Sequence, residues 1–140
     1  CALSGTIRVG LDVERLDRTA SIENVKSRVF SSTELVALEG VGGDARSLQL
    51  LRLWTGKEAY TKAHGLGMNA RFDQITIDAR LSPARLVEDL PVGGDPENWS
   101  FCEWRLNDLH FVSLAVEASQ MPDIPWEKLG RDDLLQFAGV

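Results

Sequence analysis

With 140 residues, 44% of them hydrophobic and 26% charged, the chain can bury roughly two-thirds of its unfolded surface around one core, so it needs no disulfide or metal staples. A net charge of −6 argues against non-specific nucleic-acid binding, and no apolar run approaches the ~20 residues of a membrane helix. Cys1 and Cys102, lacking C-x-x-C spacing, argue against a disulfide framework or a zinc site and fit a reducing cytoplasm. An acidic protein that handled anionic phosphates would need a metal ion or a local basic patch. The chain opens with Cys rather than Met directly before strand-like sequence, which is what a piece of something longer would show.

Residues 7–14 alternate apolar with other side chains, which predicts a half-buried strand. Asp12 and Glu14 then share one face with Gly10, and Val9, Leu11 and Val13 share the other. The missing side chain at Gly10 would let another backbone or a ligand come close. Two acids on one side repel each other, so they either sit on a solvated face or share a cation. Residues 21–30 suit a short amphipathic helix capped by Ser21. Ser31-Ser32-Thr33-Glu34 reads as a capping box before a second helix; Glu34 could also be a fourth acidic ligand, but capping is its simpler role. The Gly40-Val41-Gly42-Gly43 turn lacks the Lys-Ser/Thr ending of a phosphate loop.

A long helix is predicted from Asp44, as its cap, to about His64, with Gly65 as its stop. Leu48, Leu51, Thr55 and Ala59 supply its buried face. Leu51, Trp54, Glu58 and Lys62 form one strip along it, apolar at the start and ionisable at the end. Taken alone, Glu58 and Lys62 make an i,i+4 ion pair worth roughly 0.2–0.5 kcal/mol, Trp54 is core, and His64 meets the last carbonyls. Beyond Gly65-Leu66-Gly67, residues 72–79 read as a strand, and Ser82-Pro83 opens a helical or irregular piece to Leu90. A Gly/Pro loop spans 91–96. Residues 99–106 and 111–116 are two strands joined at Asn107-Asp108, with Trp99, Phe101, Trp104, Phe111 and Val112 as core. The tail from Met121, with a weak helical pattern at Leu134 and Leu135, reads as a surface segment folding back. These elements predict an α+β fold, a small, mainly antiparallel sheet packed against the long helix.

Gly10-Leu11-Asp12-Val13-Glu14, followed about forty residues later by Trp54-Thr55-Gly56-Lys57-Glu58-Ala59-Tyr60-Thr61-Lys62, resembles the two hallmark motifs of the 4′-phosphopantetheinyl transferases. The family patterns are G-[IV]-D-[IVL]-E and [FW]-[ST]-x-K-E-[AS]-x-x-K. Phe30-Ser31-Ser32-Thr33-Glu34 and Gly65-Leu66-Gly67 also look like that family. The resemblance covers residues 1–118, leaving 119–140 as a C-terminal tail. It is similar, more narrowly, to the C-terminal half of the two-lobed Sfp type. The Ser-His motif of the first half has no counterpart, since neither His64 nor His110 follows a Ser.

That resemblance implies a cytoplasmic, Mg²⁺-dependent transfer of the phosphopantetheine arm of coenzyme A onto a serine of an acyl or peptidyl carrier protein. Asp12, Glu14 and Glu58 would hold the Mg²⁺. Glu58 or a metal-bound water would serve as base, Lys62 would neutralise the departing phosphate, and Lys57 would contact it from beside the motif. The N-terminal lobe of the same enzyme becomes a second expected partner, with no nucleic acid and no membrane among them. Arg28, Arg46 and Arg52 are available near the helices for an acidic carrier. Two other readings compete: a non-catalytic half-domain of the same family, and a metal-dependent phosphate hydrolase that turns over nucleotides without a protein acceptor.

Overall fold

The alternating stretch forms strand β1 (Val9–Arg15) in the computed structural model, which describes residues 4–67, 70–89 and 91–123. Its buried side is the acidic one. Gly10, Asp12 and Glu14 face inward while Val13 on the opposite side is 42% exposed. The long helix α3 (Gly43–His64) is what covers them. A Cβ built on Gly10 would lie 2.0 Å from the Ala59 carbonyl oxygen and 2.5 Å from the Ala63 nitrogen, so only a bare α-carbon lets strand and helix meet there.

Helix α1 (Thr19–Val29) follows a 3₁₀ turn at Leu16–Arg18 and starts two residues before the expected Ser21 cap; Arg18 holds the cap position and no side chain caps it. Helix α2 (Ser32–Leu38) opens on the expected capping box. The Ser31 hydroxyl accepts from the Glu34 N–H, and the Glu34 carboxylate accepts from the Ser31 N–H. The cap position of α3 belongs to Gly42, not Asp44, which lies in the first turn where its charge suits the positive helix end. Gly65, at φ +67°, ends α3 as expected.

Strand β2 (Ile75–Asp78) is shorter than predicted because Phe72–Gln74 forms a 3₁₀ turn. The stretch expected to be helical or irregular contains a strand instead, β3 (Arg85–Asp89), antiparallel to β2 with a bulge between Thr76 and Ile77. Strands β4 (Ser100–Leu106) and β5 (His110–Val116) make the expected hairpin, which turns through Asn107 at φ +53°. One sheet has the order β1-β5-β4 and the other is β2-β3, all pairings antiparallel. The α+β class therefore holds. The weak helical pattern at Leu134 and Leu135, in the tail expected to fold back over the surface, lies outside the described residues.

Helix α3 packs on β1 and β5, with α1 and β2 on its other flanks. Its middle is consequently buried on most sides, through Leu50, Leu51, Leu53, Thr55, Gly56, Ala59 and Tyr60, whereas Leu48, Trp54 and Glu58 are only half-buried. Ile22, Phe30, Leu38, Ile75, Ile77, Trp99 and Phe101 complete this core; Trp104 is half-buried. The β1–β5 pairing continues one residue beyond the two strands. The Glu117 N–H donates to the Arg8 carbonyl at 2.9 Å, and Arg8 Nε donates to the Glu117 carboxylate at 2.7 Å.

The Gly10 contact yields a direct expectation. Gly10→Ala should destabilise the fold by at least about 2 kcal/mol, because the methyl group meets backbone that cannot swing aside. Urea unfolding of both proteins measures this, and equal midpoints would contradict the contact.

Candidate active site

Because β1 meets α3 at Gly10, the next inward side chains of the strand land on the ionisable strip of the helix. Lys62 Nζ donates to Asp12 Oδ1 at 2.5 Å. Trp54 Nε1 donates to Glu14 Oε1 at 2.8 Å, and the Arg18 guanidinium donates to both Glu14 oxygens at 2.7 Å. The Arg18 guanidinium also lies 5.4 Å from the centre of the Trp54 ring, whose other neighbour, Phe72, is stacked at 6.2 Å. Trp54 is thus more than core: it orients a carboxylate.

Glu58 stands between these contacts on the strip, half-buried. Burial pushes its carboxyl above the ordinary carboxylate range, and the charges of Asp12 and Glu14 push the same way against Lys62 and Arg18. Glu58 therefore lies within the field of both motif acids. Burial likewise raises Asp12, opposed by the hydrogen bond and charge of Lys62. The expected Glu58–Lys62 pair does not form, because Lys62 reaches across to the buried Asp12 instead.

Lys57 departs from expectation. It sits about 100° around the helix from Glu58 and is fully buried. Its amine pairs with Glu34 at 2.7 Å and donates to the carbonyls of Phe72, at 2.6 Å, and Ile75. Glu34 also accepts from the Ile77 N–H at 2.8 Å. Burial lowers the Lys57 amine and raises the Glu34 carboxyl, each opposed by its partner. The pair joins α3, α2 and β2, so Lys57 cannot contact a phosphate beside the motif, and Glu34 is no ligand of the acidic corner. His64 also differs. Its Nδ1 lies 2.9 Å from the Arg8 guanidinium and its ring packs against Tyr60 and Trp99, away from the helix-end carbonyls. Burial and the Arg8 charge lower its basicity. Of the three arginines considered for a carrier, Arg46 is engaged with Glu23 and Arg52 with Glu103.

Carboxylate oxygens are the donors that Mg²⁺ prefers, and Asp12, Glu14 and Glu58 carry them. Among the described residues no three His, Cys, Asp or Glu side chains are grouped so that they could hold a metal ion. The corner is an acidic site neutralised by Lys62 and Arg18, not a preassembled cage. Sequence reasoning missed Arg18 and the buried Ser113, which pairs with Asp12 across β1 and β5. Arg18 follows Glu14 by four residues, a usable spacing; nothing local marks Ser113.

The sequence matches the family model described as ACPS: 4′-phosphopantetheinyl transferase superfamily over residues 8–117. It is 29% identical over 116 residues to the 4′-phosphopantetheinyl transferase HetI of Nostoc sp., covering 83% of this chain and 46% of that protein. It is 24% identical over 151 residues to the L-aminoadipate-semialdehyde dehydrogenase-phosphopantetheinyl transferase of Pongo abelii, covering 94% of this chain and 47% of that one. The chain spans about half the length of the curated relatives it matches. Its fold resembles a Bacillus anthracis holo-(acyl-carrier-protein) synthase solved in complex with CoA (3′,5′-ADP), with a TM-score of 0.62 at 21% identity, over 81% of this chain and 98% of that one.

The buried pair predicts an asymmetry in stability. Lys57→Met alone should cost about 3–5 kcal/mol, since it strands the Glu34 carboxylate in the core. Adding Glu34→Gln should recover much of that loss. Denaturant titration of the single and double variants reads both effects.

Proposed function

The chain belongs to the 4′-phosphopantetheinyl transferase superfamily, and from that premise we propose that it is the C-terminal lobe of an Sfp-type enzyme. Residues 1–118 form the lobe and 119–140 a tail. The reaction moves the phosphopantetheine arm of coenzyme A to a carrier-protein serine. The observation that carries this reading is the convergence of both hallmark motifs, with Asp12 on Lys62 and Glu14 on Trp54. The roughly half-length match to the relatives supports a partner lobe.

Asp12, Glu14 and Glu58 would hold Mg²⁺, leaving Lys57 outside the site. The ion supplies charge neutralisation for the coenzyme diphosphate. In the transfer, the serine oxygen forms a bond to the phosphorus that carries pantetheine. The bond from that phosphorus to the adenosine 3′,5′-bisphosphate oxygen breaks, and the bisphosphate leaves with the electron pair. Glu58, or a water held by the ion, would take the serine proton. Lys62, whose side chain is 49% exposed, can swing from Asp12 to the departing phosphate without unburying itself.

A non-catalytic half-domain is the second reading, favoured by the same half-length match. Incubating the chain with coenzyme A, Mg²⁺ and an apo carrier protein, with and without a separately expressed N-terminal lobe, separates the two. Modification of the carrier, read by intact mass, supports transfer; no modification in either mixture supports the half-domain. In an active preparation, Asp12→Ala or Glu58→Gln should lower the rate about 10²–10⁴-fold. Near-normal transfer by either variant would overturn these assignments.

A further inference from the structure

Two of the buried side-chain oxygens without a hydrogen-bond partner, Asp12 Oδ2 and Ser113 Oγ, belong to residues directly opposite each other across β1 and β5. Opposed residues in an antiparallel pair project to the same face, with Cβ atoms about 4.5–5.5 Å apart. Ser113 is fully buried and Asp12 is 5% exposed, so bulk solvent satisfies neither oxygen. A buried carboxylate oxygen and a buried hydroxyl left unpaired each carry a desolvation cost. Coincidence of two such defects at one register position points to a shared missing element.

The other neighbour of Ser113 does not supply it. Glu103 faces Ser113 from β4, but both its oxygens are taken by Arg52, and one also accepts from the Ala84 N–H at 2.9 Å. Asp12 Oδ1 is likewise occupied by Lys62. Of these carboxylate oxygens, Asp12 Oδ2 is the one with no hydrogen bond of its own. The two oxygens do not bond directly, and one water donating to the carboxylate while accepting from the hydroxyl would satisfy both.

We propose that Ser113 is a positioning residue for Asp12: its hydroxyl, through one enclosed water, tethers Oδ2 and fixes the carboxylate so that Oδ1 faces the α3 strip. This rests on the reading of Asp12 as a cation ligand. Groups that orient a ligating carboxylate from behind contribute about 10–100-fold to metal affinity.

The matched pair Ser113→Thr and Ser113→Val tests it, since the two side chains have the same shape and only the first keeps a hydroxyl. Ser113→Ala serves as a third variant should the branched pair fail to fold. Mn²⁺ is the probe ion, its affinity read by water-proton relaxation, alongside a crystal structure of the unmodified chain. The expected result is a water bonded to both oxygens, near-native Mn²⁺ affinity for Ser113→Thr, and about tenfold weaker affinity for Ser113→Val and Ser113→Ala. Equal affinities for the Thr and Val variants, or no solvent path between the oxygens, would overturn the tether. If the water is present but no variant nor the unmodified chain binds Mn²⁺, the tether stands and the cation reading falls. If Mn²⁺ binds but the water is missing, the reverse holds.

Discussion

The close approach of β1 to α3 at Gly10 is the constraint on which the rest of this molecule depends. Strand and helix backbones touch there at a distance no side chain would permit. Everything chemically distinctive follows within four residues of that contact. Asp12 and Glu14, one and two alternations further along the strand, are driven against a helix that presents Lys62, Glu58 and Trp54. The strand thus turns its acids inward and leaves Val13 half in water, an inversion of ordinary amphipathic logic. Burying carboxylates is costly, and the fold offsets it with a lysine, an arginine and an indole N–H placed where the charges sit.

The sheet gives this arrangement its second dimension. Strand β5 runs between β1 and β4, so the row Asp12, Ser113, Glu103 crosses all three strands on the α3-facing side. Each carboxylate in the row has its own cation, Lys62 for Asp12 and Arg52 for Glu103. The same helix therefore answers two acids of the sheet from positions ten residues apart, which fixes its rotation as well as its distance.

Much of this was legible in the sequence because the signals are local. Alternation gave β1, Gly65 gave the end of α3, and Ser31 with Glu34 gave a cap whose geometry is set within four residues. The strip of Trp54, Glu58 and Lys62 followed from helical periodicity alone. What failed depended on partners remote in the chain. Lys57 looked like a ligand because it neighbours Glu58, yet one residue is about 100° of rotation, and that turns it into the core toward Glu34. Strand β3 was missed because a short, mostly exposed strand has no burial pattern to display; only its pairing with β2 defines it. Ser113 was invisible for the same reason, since its importance is its register opposite Asp12.

The clasp between Arg8 and Glu117 has a topological consequence. It extends the β1–β5 ladder by one pair, so the residue before β1 and the residue after β5 are held side by side at one end of those two strands. Polypeptide joined ahead of Arg8 and polypeptide continuing past Glu117 must then depart through the same doorway. The entry and exit of the unit are then adjacent.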